Sequence, residues 1–157
     1  MEDISINVPR IYAALDNKKY EFQSHMIEVE GKINNQTISI LIDCGASHSY
    51  IDTKMVERFH LPRRKFGKSW LVQLAKGAKG KINEMVKACP MDINGLSTRE
   101  DFNIIPLGSY DFLIGMDWLD KHHVVLDYYN KEFTFLDEEG NLRTVQGISR
   151  VVTIIEV

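Results

Sequence analysis

The sequence predicts a mainly β protein, a sandwich or barrel that carries two short helices. Short runs of β-branched and aromatic residues recur along its 157 residues, with turn residues between them. Asn94-Gly95, between two such runs, is a strong hairpin signal. Hydrophobic residues make up 44% of the chain and charged residues 26%, as in ordinary soluble globular proteins.

The length fits one domain, preceded by a lead-in segment. Residues 1–20 are weakly patterned, and we expect them to form a lead-in with partial disorder. Residues 21–157 are expected to form the domain, with a core over about 26–135 and C-terminal strands within 142–157.

Each element follows from hydrophobic patterning and turn residues. A strand from Met26 to Ile33 meets the turn Asn34-Asn35, and Ile38 to Ile42 forms the second arm of a hairpin. Asp52-Thr53 is typical of a helix N-cap, and the helix ends before Pro62. The remaining predicted strands cover residues 49–51, 70–74, 81–82, 86–93, 102–105, 111–115, 124–128, 132–135, 142–145 and 151–155, and a second helix covers 116–122. Pro90 suggests an edge or a bulge in its strand.

Charge and apolar content argue against several partners. A net charge of -3 does not favour a dedicated nucleic-acid binder, and we interpret the basic cluster Arg63–Lys65 with Lys68 as a solvated loop. No apolar run approaches the roughly 20 residues of a membrane-spanning helix, so no membrane partner is expected. The N-terminus lacks a signal-peptide pattern, which favours a cytoplasmic, intracellular location.

The two cysteines indicate neither a disulfide framework nor a structural zinc site. Cys44 and Cys89 are far apart and form no C-x-x-C pair. The adjacent pair His122-His123 has no third ligand at useful spacing. We therefore expect no metal and no cofactor.

The strand over 38–42 runs directly into Asp43, followed by Cys44 and Gly45. A carboxylate at the end of an apolar strand is costly unless it is hydrogen-bonded or paired. Gly45 allows the sharp turn or close backbone approach that must follow. An isolated Asp-x-Gly is far more often a simple turn cap, so the tripeptide alone does not decide the function.

Two stretches taken together resemble the retroviral-type aspartic proteases, and most closely those of gypsy-type LTR retrotransposons. The first is Leu41-Ile42-Asp43-Cys44-Gly45-Ala46-Ser47-His48-Ser49-Tyr50-Ile51 and the second is Leu113-Ile114-Gly115-Met116-Asp117-Trp118-Leu119. Asp43 and Gly115 are 72 residues apart (115 − 43), and a glycine-bearing hairpin lies between them. The resemblance covers roughly Met26 to Phe135.

The resemblance implies a retropepsin-like closed β-barrel or sandwich with a flap hairpin, acting as a symmetric homodimer. It implies an aspartic endopeptidase in which Asp43 and its symmetry mate activate a water molecule and cleave an extended peptide of a Gag-Pol-type polyprotein. The expected active-site loop is Cys44, Gly45 and Ala46; the expected substrate contacts are Ser47, His48, Lys76, Gly77, Ala78, Lys79 and Gly80; and the expected supporting loop is Ile114 and Gly115.

Position 44 departs from the family, which has Ser or Thr there. In the family this hydroxyl braces the two catalytic loops across the dimer, whereas a thiol is a weak donor. Cys44 therefore leaves open an alternative, a catalytically weak or inactive dimeric binding or assembly module. A cellular relative adopted for processing host proteins is a third possibility, and the expected location includes virus-like particles.

Overall fold

The computed structural model describes residues 8–11, 26–74 and 79–148, and these contain ten strands and two short helices. The elements are β1 (Met26–Ile33), β2 (Gln36–Asp43), β3 (Tyr50–Ile51), α1 (Thr53–Arg58), β4 (Arg64–Gln73), β5 (Lys79–Ile93), β6 (Leu96–Ile104), β7 (Phe112–Ile114), α2 (Met116–Lys121), β8 (Val125–Asp127), β9 (Glu132–Leu136) and β10 (Leu142–Gln146). The predicted strand over 151–155 lies outside the described residues.

Seven strands form one sheet in the order β1-β2-β7-β3-β6-β5-β4. β1 also pairs with β5, at Lys32 and Asp92. This pairing closes the strands β1-β2-β7-β3-β6-β5 into a barrel and leaves β4 at the outside. The predicted mainly β fold is therefore confirmed. The strands β10, β9 and β8 form a second, three-stranded antiparallel sheet.

The parallel pairing of β2 with β7 brings the two predicted motifs together. Ile40, Leu41 and Ile42 pair with Phe112, Leu113 and Ile114, respectively. All six residues are fully buried. The strand that delivers Asp43 and the strand that delivers Gly115 therefore end side by side.

Both predicted Asn-containing hairpin turns are confirmed. Asn34 and Asn35 join β1 to β2 with φ values of 51° and 63°. Asn94 and Gly95 join β5 to β6 with φ values of 49° and 89°. Positive φ at both central residues is the requirement of a type I′ turn, whose twist matches the flanking strands.

The interpretation of the basic stretch as a solvated loop is wrong for three of its residues. Arg64, Lys65 and Lys68 lie in β4, which begins six residues before the predicted strand over 70–74. Lys65 pairs with Glu84 of β5, and β4 is the outer strand of the sheet. An edge strand can hydrogen-bond along one side and keep its charged side chains in water, which is why a polar, lysine-rich segment is stable there.

The capping prediction for α1 and the bulge prediction for β5 are both confirmed. The Asp52 side chain accepts a hydrogen bond from the Lys54 backbone N–H at 3.1 Å. In β5 the register shifts between Val86 and Cys89, and Ala88 has a φ of 52°. The bulge therefore lies just before Pro90.

Two apolar clusters fill the fold. The larger draws residues from both sheets and both helices and includes the edge-to-face pair Phe102 and Phe112, with ring centroids 4.9 Å apart. The smaller connects Ala46 and Tyr50, beside the end of β2, to the β4–β5 hairpin. Ile11, from the expected lead-in, is buried in this second cluster and donates its backbone N–H to Gln73 at 2.8 Å.

Candidate active site

Asp43 is the last residue of β2, and only 1% of it is exposed to solvent. Its Oδ1 atom accepts a hydrogen bond from the Gly45 backbone N–H at 2.9 Å, and its carbonyl oxygen accepts one from the Ala46 N–H at 3.2 Å. The chain therefore turns tightly after Asp43, and the turn itself orients the carboxylate. This is the geometry that the Asp-x-Gly pattern predicts.

The N-terminus of α2 fixes the loop that follows Asp43. The Met116 N–H donates to the Ala46 carbonyl at 2.7 Å, and the Asp117 N–H donates to the Ser47 carbonyl at 3.2 Å. The first turn of a helix leaves backbone N–H groups without intrahelical partners, so these two donors are available for the loop. The predicted supporting role of this segment thus has a physical basis in the fold.

Asp117 and Ser49 form a second connection between the same two segments. Asp117 accepts hydrogen bonds from the Ser49 N–H at 3.0 Å, from the Ser49 hydroxyl at 2.5 Å and from the Trp118 N–H at 2.7 Å. Ser49 Oγ in turn accepts from the Gly115 N–H at 3.0 Å. The link between Asp117 and Ser49 depends on tertiary contact, so local sequence patterning does not predict it.

Gly115 lies where no side chain fits. A Cβ atom built on it would contact the carbonyl oxygens of His48 and Ala46, the latter at 2.6 Å. Both are backbone atoms of the loop after Asp43, so they cannot move aside without displacing the loop. The glycine at this position is required by close packing, and its φ of -106° is ordinary.

An aromatic group borders the site on the side of β4. The His48 ring lies 5.2 Å from the Trp70 ring, and the Tyr50 ring lies 6.5 Å from Trp70. His48 Nδ1 is also 2.8 Å from the Ser47 hydroxyl. The His48 side chain is thus half-buried and packs against Trp70. Trp70 therefore lies beside Ser47 and His48, two of the predicted substrate contacts.

The predicted flap is described only in part. Lys76, Gly77 and Ala78 lie outside the described residues, while Lys79 and Gly80 open β5. Gly80 pairs with Val72 of β4, so the ends of β4 and β5 form the two arms of the hairpin that carries the predicted flap.

Other acidic side chains near these motifs have structural partners. Asp111 accepts a hydrogen bond from the Ser39 backbone N–H at 2.8 Å, and its own N–H donates to the Ser39 hydroxyl at 3.1 Å. Asp117 holds Ser49, as described above. In the part of the chain that the structure covers, no three His, Cys, Asp or Glu side chains converge as metal ligands. Asp43 is therefore the carboxylate that this arrangement offers for chemistry.

Tyr128 is the site neighbour that sequence reasoning missed. Its hydroxyl is buried, which raises the pKa of the phenol, and Cys44 and Asp43 lie close enough to raise that pKa further. Tyr128 follows β8, far from Cys44 in sequence, and no local pattern indicates that the two are close in space.

Comparison with known families settles the classification. The sequence model of the retroviral aspartyl protease family matches residues 6–141. The chain belongs to the retroviral aspartyl protease family. The match begins before the range that the two motifs cover and includes Ile11, consistent with the burial of that residue against β4.

A solved structure agrees with the assignment at the level of the fold. The retroviral protease-like domain of Ddi1 from Leishmania major superimposes with a TM-score of 0.59 at 20% sequence identity. The similarity covers 80% of this chain and 95% of that domain. No curated protein matches the sequence significantly. The closed barrel of this retroviral aspartyl protease family member is thus a known architecture.

Among the described helices, none has both the length and the apolar character needed to cross a bilayer.

Proposed function

We propose that the protein is an aspartic endopeptidase that works as a homodimer and cleaves a Gag-Pol-type polyprotein. The observation that carries the proposal is Asp43, a buried carboxylate at the end of a core strand whose orientation is fixed by the Gly45 N–H. Family membership supports the general chemistry of an aspartyl protease.

The homodimer follows from the number of catalytic carboxylates. Peptide hydrolysis by this chemistry needs two carboxyl groups that share a proton, because like charges about 3 Å apart cannot both be ionised. Aspartic protease chemistry requires this pair. Among the acidic residues that the structure describes near the two motifs, Asp43 is the one left for this role, since Asp111 and Asp117 bond to Ser39 and Ser49. A second copy, related by a two-fold axis, would supply the other Asp43.

In the proposed mechanism the ionised Asp43 takes a proton from a water molecule, which attacks the scissile carbonyl carbon. The protonated Asp43 of the second copy donates a hydrogen bond to the carbonyl oxygen and so stabilises the developing negative charge. Proton transfer to the leaving amine then completes cleavage. The fixed loop over residues 44–49 holds the carboxylate in place, which avoids reorganisation during the reaction.

An extended peptide fits the site best. Gly45 and Ser47 are exposed on the loop after Asp43, and Lys79 and Gly80 lie at the base of the hairpin. Backbone groups on a loop and a hairpin can pair with an extended substrate as an added strand, and side-chain pockets then select the sequence. We place His48 and Trp70, whose rings pack against each other, among the substrate contacts. The unpaired cysteines are compatible with the reducing cytoplasm, or the interior of a virus-like particle, as the place of action.

Cys44 favours a second candidate function, a dimeric binding or assembly module with little catalysis. A thiol at this position cannot replace the strong hydrogen bond of a hydroxyl. Such a module would keep the barrel and the peptide groove without efficient hydrolysis.

Cleavage of a mixed peptide library between mildly acidic and neutral pH separates the two functions. We expect the protein to cut a subset of peptides and the Asp43→Asn variant to cut none. Asp120→Asn, which makes the same change at an exposed position of α2, is the matched control and should retain activity. Cleavage that persists in Asp43→Asn, or its absence in the unaltered protein, would refute the protease proposal.

A further inference from the structure

The first part of β5 presents lysines on the face that is turned away from the core. Side chains of a strand alternate between its two faces. In β5, Ile82 is fully buried and a Cβ atom on Gly80 would contact the Ile105 side chain, so these even-numbered positions face the core. Lys79 and Lys81 are exposed and therefore project from the opposite, outward face.

The neighbouring strand β4 places an apolar side chain beside these lysines. Leu71 lies opposite Lys81 and Gln73 lies opposite Lys79, and residues directly opposite each other share a face of the sheet. Val72, which lies between them in β4, is fully buried, whereas 45% of Leu71 is exposed. The outward face of the hairpin thus carries an exposed leucine among cations.

Residues 9–11 add a short third strand to this face. The Pro9 carbonyl accepts a hydrogen bond from the Gln73 N–H, and the Ile11 N–H donates to the Gln73 carbonyl, both at 2.8 Å. Arg10 lies opposite Gln73 in this parallel pairing. Because Ile11 is buried and Arg10 is exposed, the Arg10 side chain lies on the outward face, next to Gln73.

Neighbouring acids do not neutralise the positive charge of this face. β4 contains no acidic residue. In the first part of β5 the single acid is Glu84, which lies at an even-numbered position and pairs with Arg63 at 3.4 Å. None of Arg10, Lys79 and Lys81 forms an ion pair with another residue that the structure describes. We call the group of Arg10, Leu71, Lys79 and Lys81 the cationic face.

The spacing of the cationic face makes a negatively charged partner favourable. Alternate residues of a strand are about 7 Å apart and neighbouring strands about 5 Å apart. Like charges at these distances repel one another, and a bound anion relieves the repulsion.

An acidic polypeptide suits the cationic face better than a nucleic acid does. Single-stranded nucleic acids bind through aromatic stacking as well as phosphate contacts, and the cationic face has no aromatic residue. The net charge of -3 repels a long polyanion more strongly than a short acidic segment. In an extended peptide alternate side chains recur about every 7 Å, as Lys79 and Lys81 do, and one apolar side chain can cover Leu71.

We propose that the cationic face is a docking surface for an extended acidic segment of another protein. Carboxylates of that segment pair with Arg10, Lys79 and Lys81, and an apolar side chain packs on Leu71. The surface goes beyond the proposed function, because it uses outward side chains and leaves Asp43 and the backbone of the hairpin to the peptide that is cleaved.

Fluorescence anisotropy with a labelled ten-residue peptide tests the docking. The probe alternates Glu with Thr and carries one Leu, and the protein is the full chain with Asp43→Asn, so that the probe is not cut. We expect saturable binding that weakens as salt is added, because exposed charges are screened. The same peptide with Gln in place of Glu should not bind. Failure of the acidic peptide to bind, or equal binding of the two peptides, would overturn the proposal.

Charge reversal locates the binding surface. Arg10→Glu together with Lys81→Glu removes two attractions and adds two repulsions. At roughly two-fold for each exposed charge pair, binding should weaken by about ten-fold. Lys32→Glu together with Lys54→Glu makes the same change in charge at exposed positions of β1 and α1 and is the matched control. Equal weakening in the two double variants would show a response to net charge alone and would overturn the proposal.

Leu71→Ser tests the apolar contact. Loss of this partly exposed side chain should weaken binding by roughly three-fold. Val125→Ser, at a 69% exposed position of β8, should leave binding unchanged. Equal affinities of these two variants would contradict the placement of the peptide over Leu71.

Two measurements exclude other occupants of the cationic face. A single-stranded oligonucleotide that binds more tightly than the acidic peptide, and is lost in Arg10→Glu with Lys81→Glu, would overturn the choice of a polypeptide. A change in self-association of that double variant without peptide, seen by sedimentation, would assign the face to contacts between copies of this chain. If the unaltered protein cleaves no peptide, the proposed function fails, and the anisotropy result still decides the docking.

Discussion

Replacing Gly115 by alanine tests the packing on which the active-site loop depends. The added Cβ atom would contact the carbonyl oxygens of His48 and Ala46, the latter at 2.6 Å. Because these are backbone atoms, the strain is relieved only if the loop after Asp43 moves away from α2. Such overpacking typically costs about 1–3 kcal/mol.

The same movement would weaken two backbone hydrogen bonds. These are the bonds from the Met116 and Asp117 N–H groups to the Ala46 and Ser47 carbonyls, at 2.7 Å and 3.2 Å. At about 1 kcal/mol for each bond, and with the overpacking included, we expect the free energy of unfolding to fall by roughly 3–5 kcal/mol. Urea unfolding measures this quantity, and peptide cleavage should fall with it because Asp43 loses its support.

Gly67→Ala is the matched control. Gly67 lies in β4, and a Cβ atom there would meet nothing within 4 Å. We expect this variant to change the free energy of unfolding by less than about 0.5 kcal/mol. A Gly115→Ala protein as stable as Gly67→Ala would refute the argument that the loop and α2 require close approach at this position.

Three further predictions concern stability and reactivity. Asp52→Ala removes the N-cap acceptor of α1 and should lower the free energy of unfolding, measured in urea, by about 1 kcal/mol. Asp52→Asn keeps an acceptor and should cost less, so equal losses in the two variants would contradict the capping role. Burial raises the pKa of the Cys89 thiol to about 12, so iodoacetamide at pH 8 should label Cys89 only after unfolding. Rapid labelling of Cys89 in the folded protein, detected by mass spectrometry, would contradict this prediction. Hydrogen bonds from Asn130 lower the pKa of Asp127, so the stability that this carboxylate contributes is present above about pH 4 and is lost as the pH falls through the lowered pKa. Asn130→Ala removes the side-chain bond and keeps the backbone N–H, so it should reduce part of the loss of stability between about pH 4 and pH 2, and an unchanged pH profile would contradict a role of the side-chain bond in lowering this pKa.

Local patterns predict those parts of the fold that local physics determines. Asn94-Gly95 specifies its turn because both residues adopt positive φ readily, and Asp52 specifies the start of α1 because its side chain caps the helix. The apolar strand that ends in Asp43 and Gly45 specifies a carboxylate followed by a tight turn, and the structure has that turn.

Tertiary pairing determines what sequence reasoning missed. The segment from Arg64 to Lys68 has the composition of a loop, and it becomes a strand because β5 offers a partner for its backbone. Asp117 and Ser49 are 68 residues apart, and their hydrogen bonds exist only after β2 and β7 have paired. Tyr128 comes near Asp43 and Cys44 only through tertiary packing, so no local pattern could indicate this proximity.

The central claim is that two copies of Asp43 make one active site, and a mixing experiment tests it most directly. Unaltered protein and the Asp43→Asn variant are mixed at constant total concentration, allowed to exchange subunits, and assayed for peptide cleavage. If each site needs two Asp43 carboxylates, the activity should follow the square of the unaltered fraction and fall to about one quarter in an equal mixture. A fall to about one half, in proportion to the unaltered fraction, would show that each copy acts alone and would contradict the account.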